Sequence, residues 1–440
     1  MVKRKQFVAF LMIGIGLLSA HAGQNRFEWE ELAELPAAPG MAYQQGLAGL
    51  FAGAHNGAIL VAGGANFPGK PVQEGGGKRY YDNVFVLEST SGEWRNTLKL
   101  PQGAVAYGVS VNTPKGVVCV GGSNGETNLS SVVLMSWDAA EKATVFRSLP
   151  DFPATLKSAA GTADGDKVYV ACGVQNGEAS NRFFMLDLSK EGSADFQWVE
   201  LPPLPGARRE QAVMVHQGGG ANGSIYLVSG FGKVKGITKA FTDGYVYDPG
   251  KKEWSALAPV PVSLLGATGI KSGTHHILFF GGFNKEVFEN AVLESSRLKG
   301  AELAAFKTAY FSQKPEAFKW NKKIIAYHTV TGTWAEIDDY PYPPNCGAGI
   351  VGVDEGGIMI VNGEIMPGTR TPKVYLGRLR HEARFGAINW MVLVVYLFGM
   401  LGIGFYFMKR ERGTEDFFKG GGRIPWWAVG VSIVAKMLTP

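Results

Sequence analysis

The stretch Trp254-Ser255-Ala256-Leu257-Ala258-Pro259-Val260-Pro261 is one of six copies of a short phrase in which a proline lies seven positions after an aromatic residue. A small apolar stretch separates the two residues. The other copies are Trp29…Pro36, Trp94…Pro101, Phe146…Pro153, Trp198…Pro205 and Trp334…Pro341. Copies that return at related intervals are typical of a repeat protein.

A second phrase, an apolar run that ends in a glycine pair or a degenerate form of it, alternates with the first. Its pairs are Gly63-Gly64, Gly121-Gly122, Cys172-Gly173, Ser229-Gly230, Gly281-Gly282 and Asn362-Gly363. The runs predict inner strands at Ala58–Ala62, Gly116–Val120, Lys167–Ala171, Ser224–Val228, His276–Phe280 and Gly357–Val361. Each aromatic phrase predicts an outer strand whose ring covers the seam to the next sheet. Together the two phrases predict an all-β, kelch-type β-propeller.

The two ends of the array indicate how the ring closes. The first aromatic phrase has no glycine strand before it, and the last glycine strand, near Gly363, has no aromatic phrase after it. We therefore expect the N-terminal strand to complete the last blade of a six-bladed ring. A seven-bladed ring is disfavoured because there is no seventh phrase.

One repeat is longer than the others. Trp254 and Trp334 are 80 residues apart, whereas the other aromatic residues are 52 to 65 apart. The excess lies around residues 285–323, where Ala301–Thr308 has a helical pattern. The sequence predicts an insertion that decorates one face of the ring.

The N-terminal residues 1–22 have the pattern of a signal peptide. Lys3, Arg4 and Lys5 precede the apolar run Phe7–Leu18, and Ala20-His21-Ala22 is a small-x-small cleavage site. The propeller, residues 23–384, is therefore expected outside the cytoplasm.

The composition changes after Arg384, and residues 385–440 are expected to form a membrane segment. Residues 388–408 have no charge and are long enough to span a bilayer. Five basic residues follow this stretch and three precede it, which favours a cytoplasmic C-terminal flank. A second apolar stretch, 425–440, contains Lys436 and is too short to span. We expect it to be a truncated second membrane helix.

Composition argues against several classes of function. The 440 residues carry a net charge of +5, with 60 glycines and 12% aromatic residues, and the basic residues are scattered. Nucleic-acid binding has no support. Cys119, Cys172 and Cys346 form no close pair, and we expect the first two to pack as small hydrophobes. No Cys/His spacing indicates a metal site, and no cofactor is expected.

Residues 388–440 resemble the start of a sodium:solute symporter. The resemblance rests on the first helix, on Thr414-Glu415-Asp416-Phe417-Phe418-Lys419-Gly420-Gly421-Gly422-Arg423 and on Pro425-Trp426-Trp427. It implies that the chain is a piece of a larger transporter. The partners would be a lipid bilayer, through 388–408, and the remainder of the symporter. The location would be the bacterial inner membrane, with the propeller in the periplasm.

The propeller resembles the bacterial N-acetylneuraminate epimerase (sialic acid mutarotase) family over about residues 27–380. The strongest matching segment is Val361-Asn362-Gly363-Glu364-Ile365-Met366-Pro367-Gly368-Thr369-Arg370-Thr371. Other segments are 62–67, 106–109, 207–212, 281–284, 309–311 and 318–322. Their order is rotated relative to the family, so the chain resembles its cyclically permuted relatives. The resemblance implies a mutarotase acting on a sialic acid-like sugar, which would feed the fused symporter.

The resemblance also implies site residues. Glu364 is the proposed acid/base, and Arg370 is the candidate partner of the substrate carboxylate, since arginine binds carboxylates bidentately. The alternative for Glu364 is a solvated residue or one that caps a turn, and the alternative for Arg370 is a simple ion pair with an acidic neighbour. Asn362, in the same segment, is a candidate for substrate binding.

Three further residues are candidates for substrate binding. Arg209 and Glu210 would supply a second cation and a second carboxylate, although Arg208, Arg209 and Glu210 would equally suit an ion-pair cluster between blades. Arg79 follows the glycine-rich loop Gly69–Gly77, which is either a mobile lid or an ordinary surface loop.

One position departs from the family pattern. The family often has an arginine directly before Ala106-Tyr107-Gly108-Val109, and here that residue is Val105. The loss of a cation leaves another acidic or neutral sugar open as the substrate. A non-catalytic propeller that binds or senses a carbohydrate for the transporter is the main alternative function, and an interaction scaffold is the third.

Overall fold

The structure, a computed structural model, describes residues 26–37, 41–218, 223–380 and 387–408. The chain divides into two units, one ending at Arg380 and one beginning at His381. The predicted signal peptide (1–22) and the predicted second membrane helix (425–440) lie outside the described residues.

The first unit is mainly β. Its strands begin with β1 Phe27–Leu32, β2 Phe51–His55, β3 Ala58–Ala62, β4 Ala65–Asn66, β5 Arg79–Tyr80, β6 Asn83–Leu87, β7 Arg95–Lys99, β8 Val109–Thr113, β9 Gly116–Ser123, β10 Asn128–Asp138, β11 Ala143–Leu149, β12 Leu156–Lys157, β13 Ala160–Asp164, β14 Lys167–Ala171, β15 Val174–Gln175 and β16 Glu178–Ala179. They continue with β17 Phe183–Asp187, β18 Val199–Leu201, β19 Val213–Gln217, β20 Ser224–Val228, β21 Phe231–Val234, β22 Ile237–Ala240, β23 Gly244–Asp248, β24 Glu253–Ala256, β25 Thr268–Ser272, β26 His276–Phe280, β27 Lys323–His328, β28 Thr333–Asp339, β29 Gly349–Val353, β30 Gly357–Val361, β31 Glu364–Met366, β32 Thr369–Arg370 and β33 Val374–Leu379.

Most of these strands form antiparallel meanders arranged as a propeller. Five sheets have four strands each, in the orders β2-β3-β6-β7, β13-β14-β17-β18, β19-β20-β23-β24, β25-β26-β27-β28 and β29-β30-β33-β1. The meander β8-β9-β10-β11 belongs to a seven-stranded sheet, which β12, β15 and β16 extend. The innermost strands β2, β8, β13, β19, β25 and β29 contact one another in a closed circle. The prediction of a β-propeller is confirmed.

The N-terminal strand closes the ring. Strand β1 pairs antiparallel with β33, from Phe27 opposite Leu379 to Leu32 opposite Val374. It is thereby the outer strand of the sheet that contains β29 and β30. The expectation that the first aromatic phrase completes the last sheet is confirmed.

The glycine pairs have a backbone explanation. The apolar runs form the second strand of each meander, and every pair that follows them has positive φ at both positions. The first position tolerates a non-glycine residue, as at Asn362 with φ 56°. The second position is glycine in all six pairs, as at Gly363 with φ 104°. Such φ values are far outside the range that residues with a Cβ adopt readily.

Tryptophan side chains form hydrogen bonds between neighbouring meanders. The indole Nε1 of Trp198 donates to the carbonyl of Pro150 at 2.9 Å, and that of Trp254 donates to Pro202 at 2.9 Å. Trp94 and Trp334 make equivalent bonds. Each acceptor lies in the preceding aromatic phrase, so the predicted position of the rings at the seams is confirmed. The three cysteines are buried and free, and burial raises the pKa of each thiol.

The long repeat contains the predicted insertion. Helices α1 Lys285–Arg297 and α2 Gly300–Phe311 lie between β26 and β27, and a 3₁₀ turn, Pro315–Phe318, follows them. Asn284 caps α1, because its side-chain oxygen accepts a hydrogen bond from the backbone N–H of Val287 at 3.1 Å.

A closed ring of backbone hydrogen bonds lies at one end of the propeller, two residues before each innermost strand. Its members, here called the six-residue ring, are Gly49, Tyr107, Ser158, Gln211, Gly266 and Gly347. Each backbone N–H donates to the carbonyl of the member before it, at 2.7 to 3.3 Å, and Gly49 donates to Gly347. All six have φ between 53° and 71°. A left-handed backbone costs a non-glycine residue about 1–2 kcal/mol.

The second unit contains helix α3, Ala387–Met408. Its stretch Asn389–Tyr406 has a mean hydropathy of 1.6, and none of it is buried. By length and composition alone this helix is sufficient to cross a bilayer.

Candidate active site

A cavity of about 490 Å³ opens at the end of the propeller that holds the six-residue ring. It is lined by loops from all around the ring and by the helical insertion. Polar and charged residues in its wall include Lys78, Tyr107, Lys157, Ser158, Glu210, Gln211, Tyr310, Glu364 and Arg370. Aromatic walls come from Phe67, Tyr80, Phe283, Phe288, Phe311 and Trp320. Ligand pockets commonly have volumes of about 300–1,000 Å³, so the cavity can hold a sugar.

Glu364 and Arg370 lie on a short hairpin that follows the second strand of its meander. The two residues are directly opposite each other in β31 and β32. Oε1 of Glu364 is 3.1 Å from Nη1 of Arg370 and also accepts a hydrogen bond from the backbone N–H of Gly368 at 2.8 Å. The backbone of Glu364 pairs with Cys346, next to the six-residue ring. The hairpin therefore fixes a carboxylate and a guanidinium side by side in the cavity wall.

Arg370 retains unused hydrogen-bonding capacity. Its side chain is only 4% exposed and stacks over Phe67, with 4.7 Å from Cζ to the ring centroid. Despite the nearby Glu364, neither its Nε nor its Nη1 has an aligned acceptor in the described part of the chain. Unpaired buried donors are costly, so the Glu364 pair does not satisfy this guanidinium completely. Its positive charge in the cavity wall favours an anionic ligand.

Tyr310 lies close to the same carboxylate. Burial, and to a smaller degree the charge of Glu364, raises the pKa of the Tyr310 hydroxyl to about 12. The phenol therefore stays protonated and can donate a hydrogen bond into the cavity. Tyr310 belongs to the matching segment 309–311, but its place in the site was not predicted from the sequence.

Glu210 supplies a second carboxyl group to the cavity. Burial raises its pKa, and the cation of Lys157, which also lines the cavity, partly opposes that shift. A buried carboxyl group with a raised pKa is suited to donate a proton. The cavity thus combines a carboxylate paired with arginine and a carboxyl group biased towards its neutral form.

The glycine-rich loop contributes Lys78 rather than Arg79. Nζ of Lys78 donates to the Tyr107 hydroxyl at 3.1 Å and lies 4.8 Å from the centroid of that ring. Arg79 is exposed, stacks over Tyr81 and is not among the residues that line the cavity.

Arg209, another predicted binding residue, lies in a structural ion pair. Its side chain is fully buried and donates to both oxygens of Asp243, at 2.6 and 2.8 Å. It also donates to the carbonyl of Ser229 and stacks over Phe241. The guanidinium thus bonds to other groups of the propeller, as the ion-pair alternative predicts. Arg209 does not line the cavity.

Asn362 and Val105 also have structural surroundings. Asn362 is fully buried; its side chain accepts from the backbone N–H of Leu47 at 3.2 Å and donates to the carbonyl of Pro372 at 2.9 Å. It braces the hairpin rather than facing a ligand. Val105 is fully buried in a hydrophobic cluster and does not line the cavity.

The sequence of the chain matches a known protein family over most of its length. The family model described as "NANM: N-acetylneuraminate epimerase" matches residues 16–144 and 149–394. The chain belongs to the N-acetylneuraminate epimerase family. This is a family of isomerases, and the predicted membership is confirmed.

Individual relatives are identical to this chain at about a third of the matched positions, and they are matched over part of their length. An N-acetylneuraminate epimerase of Brucella melitensis is 33% identical over 249 residues, covering 55% of this chain and 60% of the relative. One of Haemophilus influenzae is 31% identical over 53% of this chain and 60% of the relative. A solved structure titled "Structure of YjhT" has 26% identity and a TM-score of 0.45, covering 52% of this chain and 64% of that one. The chain thus spans about 60% of the length of the curated relatives it matches.

Membership of the epimerase family leaves two other resemblances untested, the one to a symporter and the one to cyclically permuted relatives. Of the symporter-like residues 388–440, residues 409–440 lie outside the described residues, and the fusion to a symporter stays a prediction. The rotated order of the segments likewise stays a prediction.

Proposed function

We propose that this chain is a sugar mutarotase that interconverts the anomers of free N-acetylneuraminate. The observation that carries the proposal is the Glu364–Arg370 pair in the wall of a sugar-sized cavity. In this sugar acid the anomeric carbon bears both a hydroxyl group and the carboxylate. A base and a cation held side by side match two groups held on one carbon.

The reaction requires the sugar ring to open and close again. A base removes the proton of the anomeric hydroxyl while the bond between the anomeric carbon and the ring oxygen breaks. The hydroxyl becomes a carbonyl, and an acid protonates the ring oxygen. After rotation about the adjacent carbon–carbon bond, the same steps in reverse close the ring on the other face.

The environments of the cavity residues suggest their roles. Glu364, paired with Arg370 and Gly368, is the proposed base for the anomeric hydroxyl. Glu210, whose pKa burial raises, is the proposed acid. The guanidinium of Arg370, which lines the cavity, would hold the substrate carboxylate, and the protonated Tyr310 would donate to an oxygen of the same end of the sugar.

Proton NMR of two sugars tests the proposal. α-N-acetylneuraminate, freshly released by a sialidase, should approach its anomeric equilibrium faster in proportion to the amount of purified protein. Glucose, which lacks the carboxylate, should show no acceleration. Saturable broadening of the sialic acid signals without any acceleration would contradict the mutarotase and indicate a propeller that only binds carbohydrate.

We also infer that the propeller has six blades. The meander β8-β9-β10-β11 would be a blade like the five separate sheets, because each of the six meanders contributes one member to the six-residue ring.

We further propose that α3 anchors the protein in the bacterial inner membrane with the propeller in the periplasm. The length and exposed apolar surface of α3 support an anchor. The remainder of a sodium symporter is the proposed partner, which would receive product at a high local concentration. Extraction of membranes at alkaline pH should leave the protein in the pellet, whereas release into the supernatant would contradict an anchor.

A further inference from the structure

The six-residue ring has two unlike halves. Gly266, Gly347 and Gly49 are consecutive members, and they bring no side chain to the cavity end. Tyr107, Ser158 and Gln211 are the other three consecutive members, and all three line the cavity.

The glycine half lies at the meander that carries the proposed base, Glu364, and the proposed carboxylate partner, Arg370. Its middle member, Gly347, follows Cys346, whose backbone pairs with that of Glu364. Ser158 is three places from Gly347 in either direction around the six members and therefore lies on the opposite side. The side-chain half of the ring thus faces Glu364 and Arg370 across the propeller axis.

The backbone of the ring does not require side chains at these positions. Three glycines form the same hydrogen bonds with the same sign of φ, whereas Ser158 and Gln211 do so at φ 53°, where a Cβ is unfavourable. Tyr107 has a packing reason for its side chain, because its ring lies over Gly49 and its hydroxyl accepts from Lys78. The Gln211 side chain also lies near Gly266, but within the described residues neither it nor Ser158 makes a hydrogen bond like that between Tyr107 and Lys78.

Ser158 and Gln211 present unused polar groups to the cavity. Both are partly buried, and in the described part of the chain neither the Ser158 hydroxyl nor the Gln211 carboxamide forms a hydrogen bond with another protein group. Strained residues with unengaged side chains concentrate at binding sites. Both groups are uncharged and can donate and accept hydrogen bonds.

We infer that Ser158 and Gln211 form a subsite for the neutral end of the sugar, the acetamido group and the polyhydroxyl side chain. The inference rests on the proposed function, since it takes the carboxylate end to lie at Arg370. Because the two ends of the substrate are then held on opposite sides of the ring, these residues determine which sugar acids fit.

Glycine substitutions separate binding from stability at these positions. Gln211→Gly and Ser158→Gly relieve the left-handed backbone, so each melting temperature should stay the same or rise. The KM for N-acetylneuraminate should rise about tenfold, with a smaller change in kcat, since the reacting groups are untouched. The control Lys252→Gly lies in an exposed turn at φ 57° and should gain stability without a change in KM.

A second sugar tests whether the subsite recognises the acetamido group of the substrate. An analogue with a hydroxyl in place of the acetamido group should have a lower kcat/KM than N-acetylneuraminate with the unmodified protein. The ratio of the two kcat/KM values should be closer to one in Gln211→Gly. Unchanged KM values in both glycine variants would overturn the subsite while leaving the mutarotase intact. A loss of stability in the glycine variants that accounts for the higher KM would also overturn it. An unmodified protein that neither binds nor turns over the sugar would overturn the proposed function itself.

Discussion

Glu364 and Arg370 face each other across a two-stranded hairpin, with 3.1 Å between the carboxylate Oε1 and the guanidinium Nη1. This relationship links the fold to the proposed chemistry. The hairpin follows a second strand of the propeller, and the backbone of Glu364 is bonded to Cys346 beside the six-residue ring. The position of the pair is therefore set by the blade and not by a mobile loop.

Arg370→Lys should weaken substrate binding. Lysine keeps the charge but not the planar fork that binds a carboxylate through two hydrogen bonds, so we expect KM to rise about 10- to 100-fold. Steady-state kinetics of anomer conversion measure the change. The control is Arg79→Lys, because Arg79 lies in β5 between Lys78 and Tyr80, which line the cavity, but does not line it. Equal effects of the two substitutions would contradict the assignment of Arg370.

Arg209→Met should destabilise the protein rather than impair binding directly. The change removes the buried guanidinium that bonds to Asp243 and to the carbonyl of Ser229. Because Asp243 is 39% exposed, water can replace part of the loss, and we expect a cost of about 2 kcal/mol of unfolding free energy. The control, Arg182→Met, breaks the exposed bidentate pair with Glu200 and should cost less than about 1 kcal/mol. Urea denaturation measures both values. A large rise in KM for Arg209→Met with no loss of stability would restore Arg209 as a binding residue.

The stability of the protein should depend on pH through Glu210. Burial raises the pKa of this group in the folded state above its ordinary value of 4.5. Its contribution to stability is therefore fully present below about pH 4.5 and is lost as pH rises through the folded-state pKa. Glu210→Gln should accordingly be more stable than the unmodified protein at pH 7.5, with the difference shrinking towards pH 4.5. A difference that grows as the pH falls would contradict this sign.

The same substitution tests the proposed acid. If Glu210 protonates the ring oxygen, the rate of anomer conversion should fall as pH rises through the pKa of Glu210, and Glu210→Gln should be slower and lack that decline. Rates measured between pH 5 and pH 8, above the spontaneous rate at each pH, give the profile. An unchanged profile in Glu210→Gln would move the role of acid to another group.

The fold was largely predictable from the sequence because its repeats have local physical causes. The aromatic phrases recur because an indole at each seam bonds to the previous repeat, as Trp198 does to Pro150. The glycine pairs recur because both positions have positive φ, and their degenerate forms occur only at the first position, as at Cys172. Closure by β1 followed from the unpaired phrases at the two ends.

The candidate site was less predictable, because motif residues serve the fold as well as the ligand. Arg209 and Asn362 lie in matching segments, yet Asp243, Leu47 and Pro372 consume their hydrogen bonds. No sequence pattern reveals those partners, which lie 10 to 315 residues away along the chain.

Residues of the cavity were missed for the opposite reason. Ser158 and Gln211 are not part of either repeated sequence pattern. Only the closed ring of hydrogen bonds shows that they are equivalent to the glycines of the six-residue ring. The signal in the sequence was their place two residues before an innermost strand, which requires the strand bounds to be known first.

The central claim, that Glu364 is the base of a sialic acid mutarotase, is tested most directly by proton NMR of freshly released α-N-acetylneuraminate. The unmodified protein should accelerate the approach to the β anomer. Glu364→Gln should lose about 100-fold or more of that acceleration while still binding the sugar. Glu126→Gln, an exposed glutamate outside the cavity, should behave like the unmodified protein. Full acceleration by Glu364→Gln, or none by the unmodified protein, would contradict the claim.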